Sequence, residues 1–174
     1  MTSEYKTNLE IERKYIITMP DFSRISMQDE YTKSDIIQIY LASPKGETHR
    51  IRRREYPEKT SYFETRKIRI DEMSVTEIEG EISEEKYNEL SLLIADGTSP
   101  VVKTRYTFVY MGQLFEIDVY PKWHSTAIME TELSSREVQV EFPPFIEIVA
   151  EVTGDKAYSN AAMSRSFPAE INKK

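Results

Sequence analysis

The sequence predicts a mainly β (α+β) fold: a closed barrel of eight antiparallel strands with helices packed outside, built by a single domain over residues 1–174. Two observations carry that expectation. Seven short segments place ionisable residues two apart: Glu10, Glu12 and Lys14; Arg50 and Arg52; Lys67 and Arg69; Glu77 and Glu79; Lys103 and Arg105; Glu116 and Asp118; Glu130 and Glu132. Apolar residues occupy many alternate positions, among them Ile11 and Tyr15, Ile51, Ile68 and Ile70, Ile78 and Ile82, Phe108, Phe115 and Ile117, and Met129 and Leu133. Strand side chains alternate between faces, so each segment is a strand with one charged and one apolar face. Charge along nearly every strand, with little Ser, Thr or Gln among it, describes a lumen better than a wetted surface. Closing the sheet puts the stripes inside and removes exposed edges.

The elements follow in order. Leu9 to Thr18 alternates as a strand until Met19-Pro20-Asp21 breaks it, and Phe22 to Met27 reads as a short helical turn. Ile36 to Ala42 resumes a strand, ended by the turn Ser43-Pro44-Lys45-Gly46. Thr48 to Glu55, Ser61 to Ile70 and Val75 to Ile82 are the next three strands. Ser83 then caps a helix whose first turn holds Glu84 and Glu85, where acids complement the dipole. Tyr87, Leu90, Leu93 and Ile94 form its apolar stripe, and Gly97 is its expected end. Three further strands cover Val102 to Tyr110, Leu114 to Tyr120 and Ala127 to Leu133, the first two joined through Met111-Gly112-Gln113. The double proline within Phe142 to Phe145 predicts irregular chain, and Asp155 caps a short helix through Ala157 to Met163. Lys173 and Lys174 are expected to fray.

Composition narrows the function. The net charge of -7, from 30 acids and 23 bases, argues against a nucleic-acid partner. With no cysteine, thiol nucleophiles, disulfides and cysteine-bound zinc are excluded. No run approaches the roughly 20 apolar residues of a spanning helix. Met1 to Asn8 lacks an apolar core or small-residue cleavage pattern, so the cytoplasm is the expected compartment. An outer-membrane barrel would share the inverted pattern, but the outward charges Arg13, Arg53 and Arg66 disfavour a lipid-facing wall. No membrane partner is expected.

The inward set holds the acids Glu10, Glu12, Glu77, Glu79, Glu116, Asp118, Glu130 and Glu132 against the bases Lys14, Arg50, Arg52, Lys67, Lys103 and Arg105, about two net negative charges. Buried charges must be paired, hydrated or metal-bound. Paired carboxylates without histidine suit hard cations such as Mg²⁺ or Mn²⁺, and the bases suit phosphate. His49 and His124 are too few for a zinc site, and no serine or threonine forms a recognisable triad with either.

The order of these motifs resembles the CYTH family, the triphosphate tunnel metalloenzymes. EIERKY at Glu10 to Tyr15 resembles its E-x-E-x-K signature. It is followed in order by QIYL at Gln38 to Leu41, HRIRRR at His49 to Arg54, Thr65-x-Lys67, EIEGEI at Glu77 to Ile82 and KTRY at Lys103 to Tyr106. EIDVY at Glu116 to Tyr120, METEL at Met129 to Leu133 and EVTGDKAYSNAAM at Glu151 to Met163 complete the set. The likeness is greatest to short bacterial members, many of which hydrolyse inorganic tripolyphosphate.

The resemblance implies a tunnel open at its ends that takes a triphosphate with one or two divalent cations, Mg²⁺ or Mn²⁺. On it, Glu10, Glu12, Glu130 and Glu132 match metal ligands, and Arg50, Arg52, Lys67, Lys103 and Arg105 match phosphate-binding bases. Lys14 matches a lysine acting at the reacting phosphate, Tyr40 the tyrosine of Q-x-Y-L, and Glu77, Glu79, Glu116 and Asp118 are supporting tunnel acids. Val75 stands where relatives often carry arginine. Thiamine triphosphatase, adenylate cyclase and a non-catalytic polyphosphate-binding module are the alternative functions. Monomer and homodimer both stay open.

Overall fold

The computed structural model describes residues 6–171; Lys173 and Lys174, and Met1 to Tyr5 of the segment read for a leader, lie outside the described residues. Nine strands form in chain order: β1 (Lys6–Thr18), β2 (Asp29–Leu41), β3 (Glu47–Glu55), β4 (Thr60–Arg69), β5 (Ser74–Ile82), β6 (Val101–Tyr110), β7 (Gln113–Val119), β8 (Thr126–Glu132) and β9 (Ile148–Glu151). Their order is β5-β4-β3-β2-β6-β7-β8-β1-β9, and an added β5–β1 ladder closes the first eight into an antiparallel ring. The expected eight-stranded closure is therefore present.

Registers put the two faces where alternation predicts. Glu12 lies opposite Glu132 and Lys14 opposite Glu130 across β1 and β8, while Arg105 faces Asp118 across β6 and β7. Met111 (φ 49) and Gly112 (φ 74) make the two-residue connection of that hairpin, and paired positive φ matches its turn to the strand twist. The opposite, outer faces bury Tyr15, Ile17, Phe108, Phe115, Ile117 and Met129 with Ile25 and Ile146. Ile25 belongs to α1 (Phe22–Ile25), capped by Asp21, while Ile146 lies in the irregular proline-bearing chain that the sequence predicts there. This is the principal apolar core, and it lies outside the ring.

α2 (Glu84–Ser91) seats Tyr87 and Leu90 on Ile39, Leu41 and Ile51 of the outer wall. Ser83 caps it as expected, but it ends well before Gly97. The chain leaves the helix because Ala95 N–H donates to the Tyr40 carbonyl (2.8 Å) and Ile94 bridges Leu41, extending the end of β2. Leu93, expected on the buried stripe, is instead 62% exposed.

Two other departures concern the C-terminal third. β9, unforeseen, takes over one edge of β1: that edge pairs with β5 over Lys6 to Ile11 and with β9 over Tyr15 to Ile17. Between the two ladders the Glu12 N–H reaches the Met73 carbonyl (3.3 Å) and the Lys14 N–H reaches Thr153 Oγ1 (3.0 Å). The helix expected from Ala157 to Met163 is split into a 3₁₀ turn at Lys156–Tyr158, capped by Asp155, and α3 (Asn160–Met163), capped by Ser159. Tyr158 and Met163 pack on Ile16, Tyr40, Val101, Tyr120 and Ile128. The resemblance implies open ends with a helix near Tyr158 to Met163 able to cover one mouth; at this end the apolar cluster lies on the inner face of β1, β2, β6 and β8 and on Tyr120 just past β7. No helix is long and apolar enough to cross a membrane among the described residues.

Candidate active site

Inside the ring lies a cavity of about 660 Å³. Thirteen of the predicted site residues line it: Glu10, Glu12, Lys14, Tyr40, Arg50, Arg52, Lys67, Glu77, Glu79, Arg105, Glu116, Glu130 and Glu132. All eight strands of the ring supply them, so period-two alternation alone gathers residues as distant as Glu10 and Glu132. Lys103 and Asp118 share that parity without reaching the cavity. Both side chains are only 1% exposed, and Lys103 Nζ lies 2.5 Å from Asp118 Oδ2, the carboxylate that Arg105 also contacts.

Bases and acids are interlocked around the wall. Lys14 Nζ sits 2.8 Å from Glu130 Oε1 and also donates to the Tyr158 carbonyl (3.4 Å). Lys67 Nζ lies 2.5 Å from Glu10 Oε2 and 2.8 Å from Glu77 Oε2, and Arg50 reaches Glu77 at 3.5 Å. Arg52 pairs with Glu79, which also accepts from Thr65 Oγ1 at 2.6 Å. Arg105 donates its Nε and Nη2 to the two oxygens of Asp118, each at 2.7 Å, and turns Nη1 to Glu116 and Nη2 to Glu130 (3.3 Å). Gln38 links Arg50 (3.3 Å) to the Tyr40 hydroxyl (2.7 Å).

Arg54 and Arg69, which share the inward parity but lie near strand ends, also line the cavity. Glu47, Lys156 and Arg165, from a strand start and the C-terminal segment, line it too, and alternation did not single them out. Nine cationic side chains thus face eight carboxylates, a formal excess of one positive charge. The sequence count of about two net negative charges is corrected: it left out Arg54 and Arg69 near strand ends and could not see Lys156 and Arg165, carried outside strands, and these four bases outweigh the added Glu47. Val75 also lines the wall, opposite Glu10 in the β1–β5 register.

Electrostatics sort the carboxylates. Burial would raise Glu130, but Lys14, Arg105 and Lys103 hold it well below the usual carboxylate range. Glu10 behaves oppositely: burial, with Glu77 and Glu12 nearby, outweighs Lys67 and pushes its carboxyl up to about 7. Burial, then Glu116 and Glu77, raises Glu132 as well. Among the described residues neither Glu12 nor Glu132 has an ion-pair partner. On the cationic side, burial and then Arg50 lower Arg52. The Nε atoms of Arg50 and Arg52 are buried without a hydrogen-bond partner among the described residues.

Crowded, raised carboxylates are the donor chemistry a hard divalent cation requires, and crowded arginines with unspent N–H groups are that of an anion. As they stand, no three acids among the described residues converge on one point to ligate an ion. Glu10 is turned to Lys67, and Glu130 to Lys14 and Arg105. Binding of phosphate and a cation here would therefore require an exchange of partners at these bases and carboxylates. His49 stays out of this network, on the outer wall with Glu64 (2.7 Å), and Trp123 is buried in the apolar cluster with its Nε1 donating to the Pro168 carbonyl (3.1 Å). Tyr40 is the one aromatic side chain lining the cavity among the described residues.

No family model matches the chain. An inorganic triphosphatase of Nitrosomonas europaea is 34% identical over 162 residues, 91% of this chain and 99% of that protein. A crystal structure of an inorganic triphosphatase superposes with a TM-score of 0.58 at 31% identity, over 92% of this chain and 97% of that one. A Bacillus halodurans structure described as a candidate adenylate cyclase superposes at 0.52 over 75% and 83% of the two chains; at 14% identity it shares the fold alone.

Proposed function

The chain belongs to the family of the inorganic triphosphatases, the CYTH or triphosphate tunnel group that its motifs resemble, and on that premise we propose that it hydrolyses inorganic tripolyphosphate to pyrophosphate and orthophosphate with the help of Mg²⁺ or Mn²⁺. The observation that carries this reading is the pair of buried, unpartnered Arg50 and Arg52 Nε donors in the same cavity as a crowd of carboxylates. A substrate that is only phosphate engages both.

In the proposed reaction Arg50, Arg52 and Lys67 bind phosphate oxygens through charge-assisted hydrogen bonds, and Arg105 offers the guanidinium edge now turned to Glu116 and Glu130. Lys14, poised between Glu130 and the Tyr158 carbonyl, stabilises charge on the reacting phosphate. Glu10, Glu12, Glu130 and Glu132 would hold the cation, which supplies Lewis-acid stabilisation of phosphoryl oxygens and acidifies water. Water attacks a terminal phosphorus and the bond to the bridging oxygen breaks, releasing pyrophosphate and a proton. Burial keeps the Tyr40 phenol protonated, so it serves as a hydrogen-bonding group beside Arg50 and not as a base. The nearly aromatic-free lining offers a nucleobase no stacking platform, which favours the inorganic substrate over ATP.

The test is product-resolved assay of the purified protein with Mg²⁺ or Mn²⁺ against tripolyphosphate, ATP and thiamine triphosphate. Tripolyphosphate turnover to pyrophosphate and orthophosphate is expected. Cyclic AMP and pyrophosphate from ATP as the dominant products would replace this reading with the cyclase.

A further inference from the structure

Resting on the triphosphatase reading, we propose that Lys103 is a positioning residue: it anchors Asp118, Asp118 fixes the guanidinium of Arg105, and Arg105 alone of the three meets the substrate. Three observations point the same way. Lys103 has its ammonium 2.5 Å from Asp118 Oδ2, and its side chain is 1% exposed, against 12% for Lys14 and 23% for Lys67 on the cavity wall. Asp118, equally buried, accepts the Nε and Nη2 hydrogens of Arg105 in a two-pronged contact that fixes the plane of the fork. The remaining edge of that fork meets Glu116 and Glu130, both of which line the cavity.

The consequence is a division of labour within one triad. Lys103, Asp118 and Arg105 together carry one net positive charge, and only Arg105 has a face on the cavity. Phosphate can displace Glu116 or Glu130 from Arg105 while the Asp118 contact persists, because the two contacts use different edges of the guanidinium. For Lys103 to meet phosphate directly, its ammonium would have to leave Asp118 and move out of a site where its side chain is 1% exposed.

A double-mutant cycle read by calorimetry, with Mg²⁺ and a non-hydrolysable imido analogue of tripolyphosphate, tests this. Arg105→Lys should weaken Kd roughly 10- to 100-fold, the scale of lost charge-assisted hydrogen bonds. Lys103→Met should weaken it about tenfold, and the double variant should bind within about twofold of Arg105→Lys, since groups acting through one another are not additive. Independent losses multiplying in the double variant, or Lys103→Met lowering the melting temperature with Kd unchanged, would overturn the proposal. A second measurement needs no variant. In acetic anhydride labelling of the wild type read by mass spectrometry, the analogue should protect Lys14 and Lys67, with Lys103 unlabelled in both states. Lys103 labelled when free and protected when bound would make it a phosphate contact. Failure of the wild type to bind the analogue at all would remove the triphosphate reading and this inference with it.

Discussion

Replacing Arg52 by alanine tests parity and phosphate recognition together, because Arg53 beside it is a built-in control. The Arg52 side chain is 10% exposed and pairs inward with Glu79, whereas that of Arg53 is 38% exposed and pairs outward with Glu55 on its own strand. A hydrogen bond to a charged group is worth about 1.5–3 kcal/mol when one partner is removed, so Arg52→Ala should lower kcat/KM for tripolyphosphate roughly 10- to 100-fold. The fold should survive, since Glu79 keeps its bond from Thr65 Oγ1 (2.6 Å) and is itself 28% exposed in its side chain. Arg53→Ala removes an exposed pair, worth about 0–1 kcal/mol of stability, and should leave turnover within about twofold of wild type. The assay is phosphate release under Mg²⁺ at several substrate concentrations, with a melting curve for each variant. Equal damage from the two substitutions, or an unaffected Arg52→Ala enzyme, would refute the register and the role built on it.

Excess chelator should abolish hydrolysis, and Glu132→Gln should remove most activity while raising the melting temperature of the metal-free protein by about 2 °C, because it relieves a carboxylate crowded by Glu116 and Glu77; full activity in chelator would eliminate the metal mechanism. With ATP in place of tripolyphosphate, kcat/KM should fall at least about tenfold with no cyclic AMP formed, as chromatography of the products will decide. Glu170 gives a stability signature away from the site: burial would raise its carboxyl, but the amides of Ser125 and His124 and the hydroxyls of Thr126 and Ser125 pull it down to about 2. A depressed carboxyl contributes fully above its unfolded value near 4.5 and loses that contribution as pH falls toward about 2. Urea midpoints of wild type and Glu170→Gln should therefore differ at pH 6 and converge near pH 2; a gap independent of pH would contradict the assignment.

Alternation made most of the lumen readable. Glu10, Glu12, Lys14, Arg50, Arg52 and Lys67 lie where period two places them, because a strand buried on one face cannot slip by one residue without inverting every side chain. Parity gives a face and not a depth, so Lys103 and Asp118, of the correct parity, end up buried off the cavity wall. Lys156 and Arg165 were out of reach because the chain carrying them is not a strand and enters the cavity through packing of Tyr158 and Met163, a long-range event without local periodicity. β9 escaped for a related reason: four residues after a double proline are too short to show an alternation, and only the free edge of β1 makes them a strand. The early end of α2 shows tertiary override of a good helical stripe, decided by the backbone groups of Tyr40 and Leu41.

The ring order has a consequence for the time at which the site comes into being. The first strand finds neither of its ring neighbours beside it in sequence: β5 begins at Ser74 and β8 at Thr126. At a synthesis rate of roughly 5–20 residues per second, Glu12 waits about 6–24 seconds on the ribosome before Glu132 exists to face it. The hairpins of β2 to β5 and β6 to β8 can form from local pairings meanwhile, whereas the β1–β8 ladder, closing over more residues than any other ring pairing, bears the largest loop-closure entropy of the ring and is expected in a late, slow phase. Lys14 meets Glu130 only across such a ladder. A nascent chain stalled before Thr126 would hold a partial sheet with β1 lacking its β8 neighbour, exposed to aggregation and without the Lys14–Glu130 contact, so competence to handle a triphosphate arrives in one step, at closure.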